Sequence, residues 1–395
     1  MQRLIQFVQS RRGVWLVLAL APAPMLWGLL SRLRKHNHLF ADFLQLSCAA
    51  LRTNAHQPLY GGGPCVGMDA MPFVYIPLIA HGAAALTGWL GAAGFTLLYA
   101  VIYGAAGLYL YWMLVFSKAV ALAPVERAPL LTLITGSALS WGNVALPLIA
   151  LIAGAARLAL TLPILFGAAV ALAAVVKPVF LAYLLGLLYA PISLMRRAAV
   201  ILASAAAGLA PTVLFVLLGG DEARQWTAQT LHYVLVQAPG YGFLGWTAAM
   251  GLVGVGPMLG GLFLAFAAVI VVSGWIVAAQ SGLGARERVW LGLGVAALLI
   301  PRLMRYDGFL LGLGLIILAE AARAMGPILG RRVSIGVYGL LALSWVLNVV
   351  VGGNQLLLVT PLFSLLLVGM AGFSLYQRRR PVVPGQAMLL DTVPL

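Results

Sequence analysis

Long apolar runs separated by short polar breaks set the rhythm of this chain. Runs at 13–30, 73–88, 92–116, 129–154, 160–175, 178–193, 198–218, 255–279, 288–300, 303–320, 333–350 and 356–376 contain few charges. Most approach the ~20 residues that a helix needs to cross a bilayer, and together they predict an all-α, polytopic integral membrane protein with about 12 transmembrane helices. Buried strands of a soluble α/β protein are excluded, because their apolar runs stop at about 4 to 8 residues. Within 129–154 the tetrapeptide "SWGN" reads as a loop between two short helices or as the break in one broken helix.

Two stretches fit neither a span nor a free loop. In 31–72, Leu39, Phe43, Leu46 and Ala50 recur at helical spacing while Asp42, Gln45 and Arg52 mark another face, the pattern of an amphipathic helix lying on the membrane. Asp42 falls near its start, and Asp42-x-x-Gln45 is close to a capping box that would satisfy amides of the first turn. A carboxylate at a partly desolvated boundary also suits a general base. The second stretch, 219–246, carries Trp226, Tyr233 and Trp246 and predicts another interfacial helix.

Composition agrees: 63% of the 395 residues are hydrophobic and 8% charged. The formal charge of +15 does not point to nucleic acid, since Arg and Lys stand singly or in small groups between apolar runs. Arg11 with Arg12, and the groups in 195–197, 285–288, 330–332 and 378–380, fall on one side only if the number of spans is even. Both termini are then cytoplasmic, and 31–72, Lys177, 219–246 and 301–307 lie outside. Arg32, Arg34 and Lys35 end up on the side the rule disfavours, held there for an anion or snorkelling to headgroups. Residues 1–23 resemble a signal peptide, yet the apolar run continues to Leu30 and reads as an uncleaved first span. Residues 1–380 read as one transmembrane domain, followed by a short disordered tail at 381–395. Cys48 and Cys65 share the first loop; pairing and two unpaired thiols are both open.

Candidate chemistry is sparse. Lys177 stands directly before Pro178, an interfacial anchor or a point charge for a lipid phosphate. "PRLMRYD" gathers Arg302, Arg305 and Asp307 in a turn, where one Arg can pair with Asp307 and leave the other to grip phosphate. His56, Tyr60 and Asp69 complete the polar set of the first loop, and His232 sits on the second interfacial segment. His81 and Asn143 fall inside apolar runs, where bonding between helices is the ordinary role. No metal-ligand spacing, nucleotide loop or nucleophile elbow occurs, so neither metal nor cofactor is expected.

"ADFLQLSCAALRTNAHQPLY" followed by "FVYIPLIA", which holds Tyr75, is similar to the first extracytoplasmic loop of glycosyltransferase family 87. "SWGNVALPLIALI", "VVKPVFLAYLL" and "PRLMRYDGFLL" resemble that family's Gly-Asn helix start, Lys-Pro span and Tyr-Asp turn. The resemblance implies a GT-C fold in a bacterial cytoplasmic membrane, with the site facing the periplasm or cell exterior. It implies transfer of a sugar, mannose in the related branch, from a polyprenyl-phosphate donor to a glycan or glycolipid acceptor by an inverting single displacement. Asp42 maps onto the family's catalytic base. Lys177 with Arg302 or Arg305 would hold the donor phosphate; His56, Tyr60, Asp69, Tyr75, Asn143, His232 and Asp307 would contact substrate. A transporter or flippase of lipid-linked sugars would use the same cations without a base, and a non-catalytic membrane subunit would need neither.

Overall fold

The computed structural model describes residues 40–61, 65, 72–115, 139–237, 240–252, 256–350 and 356–379, with isolated positions between 15 and 34. The expected first span at 13–30 lies largely outside the described residues, and the tail at 381–395 lies wholly outside them. Among the described residues the chain is helical and contains no strand.

In chain order the helices are α1 (Ala41–Asn54), α2 (Pro77–Val115), α3 (Ala145–Ala156), α4 (Pro163–Val176) and, after a 3-10 segment at Pro178–Leu184, α5 (Leu185–Tyr189). Then come α6 (Leu194–Leu218), α7 (Gly220–His232), which runs on through a π-helical turn at Tyr233–Gln237, and α8 (Phe243–Ala249). The last five are α9 (Pro257–Gln280), α10 (Ala285–Leu298), α11 (Gly308–Met325), α12 (Pro327–Val350) and α13 (Leu356–Arg379), with a 3-10 turn at Arg305–Asp307 before α11.

Among the described residues, five helices are long and apolar enough to cross a membrane: Pro77–Met113, Leu194–Leu218, Pro257–Gln280, Gly308–Met325 and Leu358–Arg378. Twelve spans are not seen among the described residues, and two of the differences have physical reasons. The runs expected at 73–88 and 92–116 join in α2, which breaks at Gly91, where φ is 72°. The apolar runs between 145 and 189 form short helices, Ala145–Ala156, Pro163–Val176 and Pro178–Tyr189, each rising ~18–21 Å against a hydrocarbon core of ~30 Å. "SWGN" is the break before α3: Trp141 and Gly142 form a turn and the helix begins at Ala145. Residues 129–138, the remainder of that expected span, lie outside the described residues.

The short pieces form the centre of the molecule. α4 and the 178–189 segment make a hairpin with Lys177 at its tip. Its two arms touch where Gly186 approaches Phe166, both pack against α6, and the second arm also packs against α10. At the foot of the hairpin the Arg197 guanidinium donates to the Leu188 carbonyl at 2.7 Å, and Arg196 reaches the Thr161 carbonyl at 3.4 Å. One buried core runs through α2, α3, α4, α5, α10, α11 and α13, with Trp290, Tyr183, Phe166 and Phe309 nearly inaccessible. Such all-round burial marks helices packed inside a bundle. α11, the most enclosed of the five long helices, has packing partners on every side, whereas α6 exposes Leu202, Leu214 and Leu217.

Candidate functional site

The site begins with how α1 starts. Phe40, in the left-handed region at φ 59°, is the residue before the helix, and no side chain caps the first turn. Backbone does this work instead: the Phe40 amide donates to the Ser140 carbonyl at 2.7 Å and the Asp42 amide to the Trp141 carbonyl at 2.9 Å. The capping-box reading of Asp42 and Gln45 is therefore replaced by a strap, residues 140–143, laid across the helix start. Tyr99 fastens the strap by donating to the Gly142 carbonyl at 2.5 Å. Gly142 has φ 65°, and a Cβ there would overlap the Phe40 ring, so only glycine brings strap and helix this close.

With the amides of the first turn satisfied elsewhere, the Asp42 carboxylate faces Asn143. Asn143 Nδ2 donates to Asp42 Oδ2 at 2.6 Å, while its Oδ1 accepts the Lys177 ammonium at 2.8 Å and the Ala145 amide at 2.9 Å. Both partners of Oδ1 can only donate, so the amide orientation is fixed and its NH2 must point at a hydrogen-bond acceptor. One buried amide thus joins a carboxylate to a cation separated from it by 135 residues of chain. The bond between helices expected for Asn143 exists, and it is part of this relay.

Two cavities meet at Lys177. One, of about 330 Å³, is lined by Asp42, Gln45, Tyr75, Trp141, Asn143, Tyr233, Tyr241, Arg302 and Tyr306 among others. The other, of about 290 Å³, is walled mainly by apolar groups such as Val175, Val179, Phe180, Leu244, Ile300 and Pro301, and Asp307 also borders it. Lys177, Arg302, Tyr75, Val74, Met304 and Tyr306 border both. The Lys177 ammonium lies 4.8 Å from the Tyr306 ring centre and the Arg302 guanidinium 4.7 Å from that of Tyr233. Aromatic faces therefore hold both cations at the junction. Burial lowers the Lys177 pKa to about 8, against the opposing pull of the Asp307 and Asp42 carboxylates. Burial likewise raises the pKa of Asp307, with Lys177 opposing.

Asp307 caps its own turn, its Oδ2 accepting the Met304 amide at 2.9 Å, while Oδ1 has no hydrogen-bond partner among the described residues. Arg305 begins that turn, and its side chain lies outside what is described. Facing the turn, Gly240 at φ 77° passes so near the Leu303 carbonyl that a Cβ would come within 2.6 Å. This contact lets the Tyr241 amide bond Leu303 at 2.7 Å and carries Tyr241 to the cavity wall.

α7 fixes the rest of the first loop. Trp226 Nε1 donates to the Val74 carbonyl at 3.0 Å and Gln229 Nε2 to the Phe73 carbonyl at 2.7 Å. Tyr60 is buried, donating to the Tyr75 carbonyl at 2.6 Å; it positions Tyr75 and does not line either cavity. Cys48 and Cys65 are joined as a disulfide, resolving the open alternatives. His56 and His232 are exposed and border neither cavity, so neither is brought to the site; Asp69 lies outside the described residues. The second interfacial segment is two helices, α7 and α8, and it gives the polar cavity Tyr233, the neighbour of His232, and Tyr241. Gln45, Trp141, Tyr241 and Tyr306 also line the polar cavity and were not singled out as site residues. The aromatic richness of the segments was the available signal for three of them. Comparison with known proteins finds no matching family model, curated relative or solved structure.

Proposed function

We propose that this chain is a membrane glycosyltransferase that moves a sugar from a polyprenyl-phosphate donor to a glycan or glycolipid acceptor. The observation carrying this reading is the junction itself: an apolar chamber opens onto a polar one, with Lys177 and Arg302 between them and Asp42 across the polar chamber. A lipid phosphate has that order of parts, an apolar chain, an anionic group and a polar head. In this reading the first isoprene units occupy the apolar chamber and the phosphate meets the two cations. The sugar and the attacking hydroxyl share the polar chamber. Asp42, bonded by Asn143, takes the proton from the acceptor hydroxyl as it attacks the anomeric carbon from the face opposite the leaving group. The carbon–oxygen bond to the phosphate breaks with inversion, and the cations stabilise the charge developing on the departing phosphate.

Two further observations support the orientation. Arg157, Arg196, Arg197, Arg286, Arg288, Arg323, Arg331, Arg332 and Arg378 stand at the helix ends away from the site, the enrichment found on cytoplasmic faces. The Cys48–Cys65 disulfide lies at the site end, as it would in the oxidising space outside a bacterial cytoplasmic membrane. The test is sugar transfer from polyprenyl-phosphate sugars by purified wild type and Asp42→Asn. The expected result is a loss of about 10²- to 10⁴-fold for removing a base. Turnover by the wild type that Asp42→Asn leaves unchanged refutes the role of Asp42, and donor movement across vesicles without transfer points to a flippase.

A further inference from the structure

Gln45 is one helical turn beyond Asp42 on the same face of α1, and both line the polar cavity. Only 5% of its surface is exposed, and its Oε1 has no hydrogen-bond partner among the described residues. Burying an amide oxygen without a partner destabilises the fold; a local rule broken in this way belongs to a functional position. Around it stand aromatic faces, Trp141, Tyr75, Tyr233, Tyr241 and Tyr306, and the cavity volume of about 330 Å³ lies at the small end for a ligand site. Flat apolar faces beside a few polar groups suit a pyranose ring, which is apolar above and below and polar at its rim.

Residues three apart on a helix have Cβ atoms about 5–6 Å apart, so two groups on adjacent carbons of one ligand can meet Asp42 and Gln45 together. We infer that Gln45 reads the acceptor: its amide pairs with the hydroxyl next to the one whose proton Asp42 removes, so the acceptor presents a vicinal diol, as a sugar ring does. A hydroxyl both donates and accepts, so either orientation of the amide serves. This rests on the glycosyltransferase reading above and adds to it the part of the acceptor that the site reads and the residue that reads it.

The experiment uses the full chain in lipid nanodiscs with farnesyl-phosphate mannose and farnesyl-phosphate glucose as donors. The acceptor probes are alkyl gluco-, manno- and galactopyranosides, each with its set of monodeoxy analogues. Wild type should lose at least tenfold in kcat/KM when one particular hydroxyl beside the attacking one is removed. Gln45→Met, unbranched and of similar length, should bring that ratio to within about threefold while preferences at other positions stay as they were. The thermal midpoint of Gln45→Met should equal or exceed that of wild type, which a Gln serving the fold would not allow. Gln45→Asn, which withdraws the amide by one carbon, should fall between. Unchanged deoxy preferences in an active Gln45→Met, or a lowered midpoint in both variants, overturn the role of Gln45 alone. Absence of transfer to every acceptor by the wild type overturns the glycosyltransferase reading and this inference with it.

Discussion

Asn143→Asp is the sharpest probe of the relay, because it changes one NH2 to an oxygen and almost nothing else. In the wild type the Asn143 amide donates to Asp42 at 2.6 Å and accepts Lys177 at 2.8 Å. An aspartate there keeps the Lys177 contact, now as a charge pair, and turns the donor facing Asp42 into a second carboxylate. Two unit charges about 4 Å apart at an effective dielectric of about 20 repel by about 4 kcal/mol, or roughly 3 pKa units. Lys177 pairs with the new carboxylate and offsets about half of that, so the new group stays ionised and Asp42 carries the shift. A base must be ionised to act, so the acid limb of kcat/KM against pH should move upward by about 1–2 units, with activity recovering at high pH. Asn143→Ala serves as the control, removing the bond without adding charge: it should lower the rate without an upward shift of that size. An Asn143→Asp enzyme whose acid limb stays with the wild type would refute both the contact and the role given to Asp42.

Lys177→Met should raise KM for the donor by at least tenfold while leaving the acceptor KM within about twofold, measured by steady-state transfer. Lys177 carries its charge below a pKa of about 8, so the free protein should bind farnesyl phosphate more weakly as pH rises through 8 and beyond, read by isothermal titration. That dependence should vanish in Lys177→Met. Gly142→Ala forces a methyl group into Phe40 at a φ of 65°; a cost of about 1–3 kcal/mol is expected, seen as a lowered thermal midpoint together with reduced kcat. Reduction of the Cys48–Cys65 bond, or Cys65→Ser, releases a span with a sequence separation of 17. It should cost about 3 kcal/mol, measured by thermal unfolding with and without reductant.

The helices of the first loop and of 219–246 were legible because their apolar positions keep a period near 3.6 while their polar content rules out a span. Asp42, Lys177 and Arg302 were legible as charges that a greasy chain has no reason to keep. Asn143 was visible only as a polar residue inside an apolar run; its pairing with Asp42 spans 101 positions and no local pattern encodes it. The capping-box reading failed because backbone carbonyls from the 140–143 strap reached the first turn before the Asp42 side chain could. Gln45 reads only as lying on another face from the apolar positions, since periodicity tells faces apart without saying what covers each one; α1 is covered on more than one. His232 attracted notice as a titratable group, yet the helix turns Tyr233 inward instead. The count of twelve spans is not seen among the described residues, because apolar length alone does not separate a short helix buried among others from one that crosses a bilayer.

That same shortness explains the depth of the site. From the foot near Ser193, α6 climbs 25 residues, about 37 Å, while α4 climbs only 14, about 21 Å. α10, also 14 residues, ends level with it, and α3, itself only 12 residues long, begins there. The tops of these short helices carry Lys177, Arg302 and Asn143, so they form a floor below the level that α6 reaches. Thr212, about 27 Å up α6 by the same rise, borders the apolar cavity beside Lys177, as a floor near 21 Å requires. α1 and α7 lie over the recess and lower Asp42, Gln45 and Tyr233 into it. A lysine and a carboxylate are thus held below the tops of the longest helices, each partnered through one amide, and in the proposed reading a donor phosphate would meet the cations at that depth.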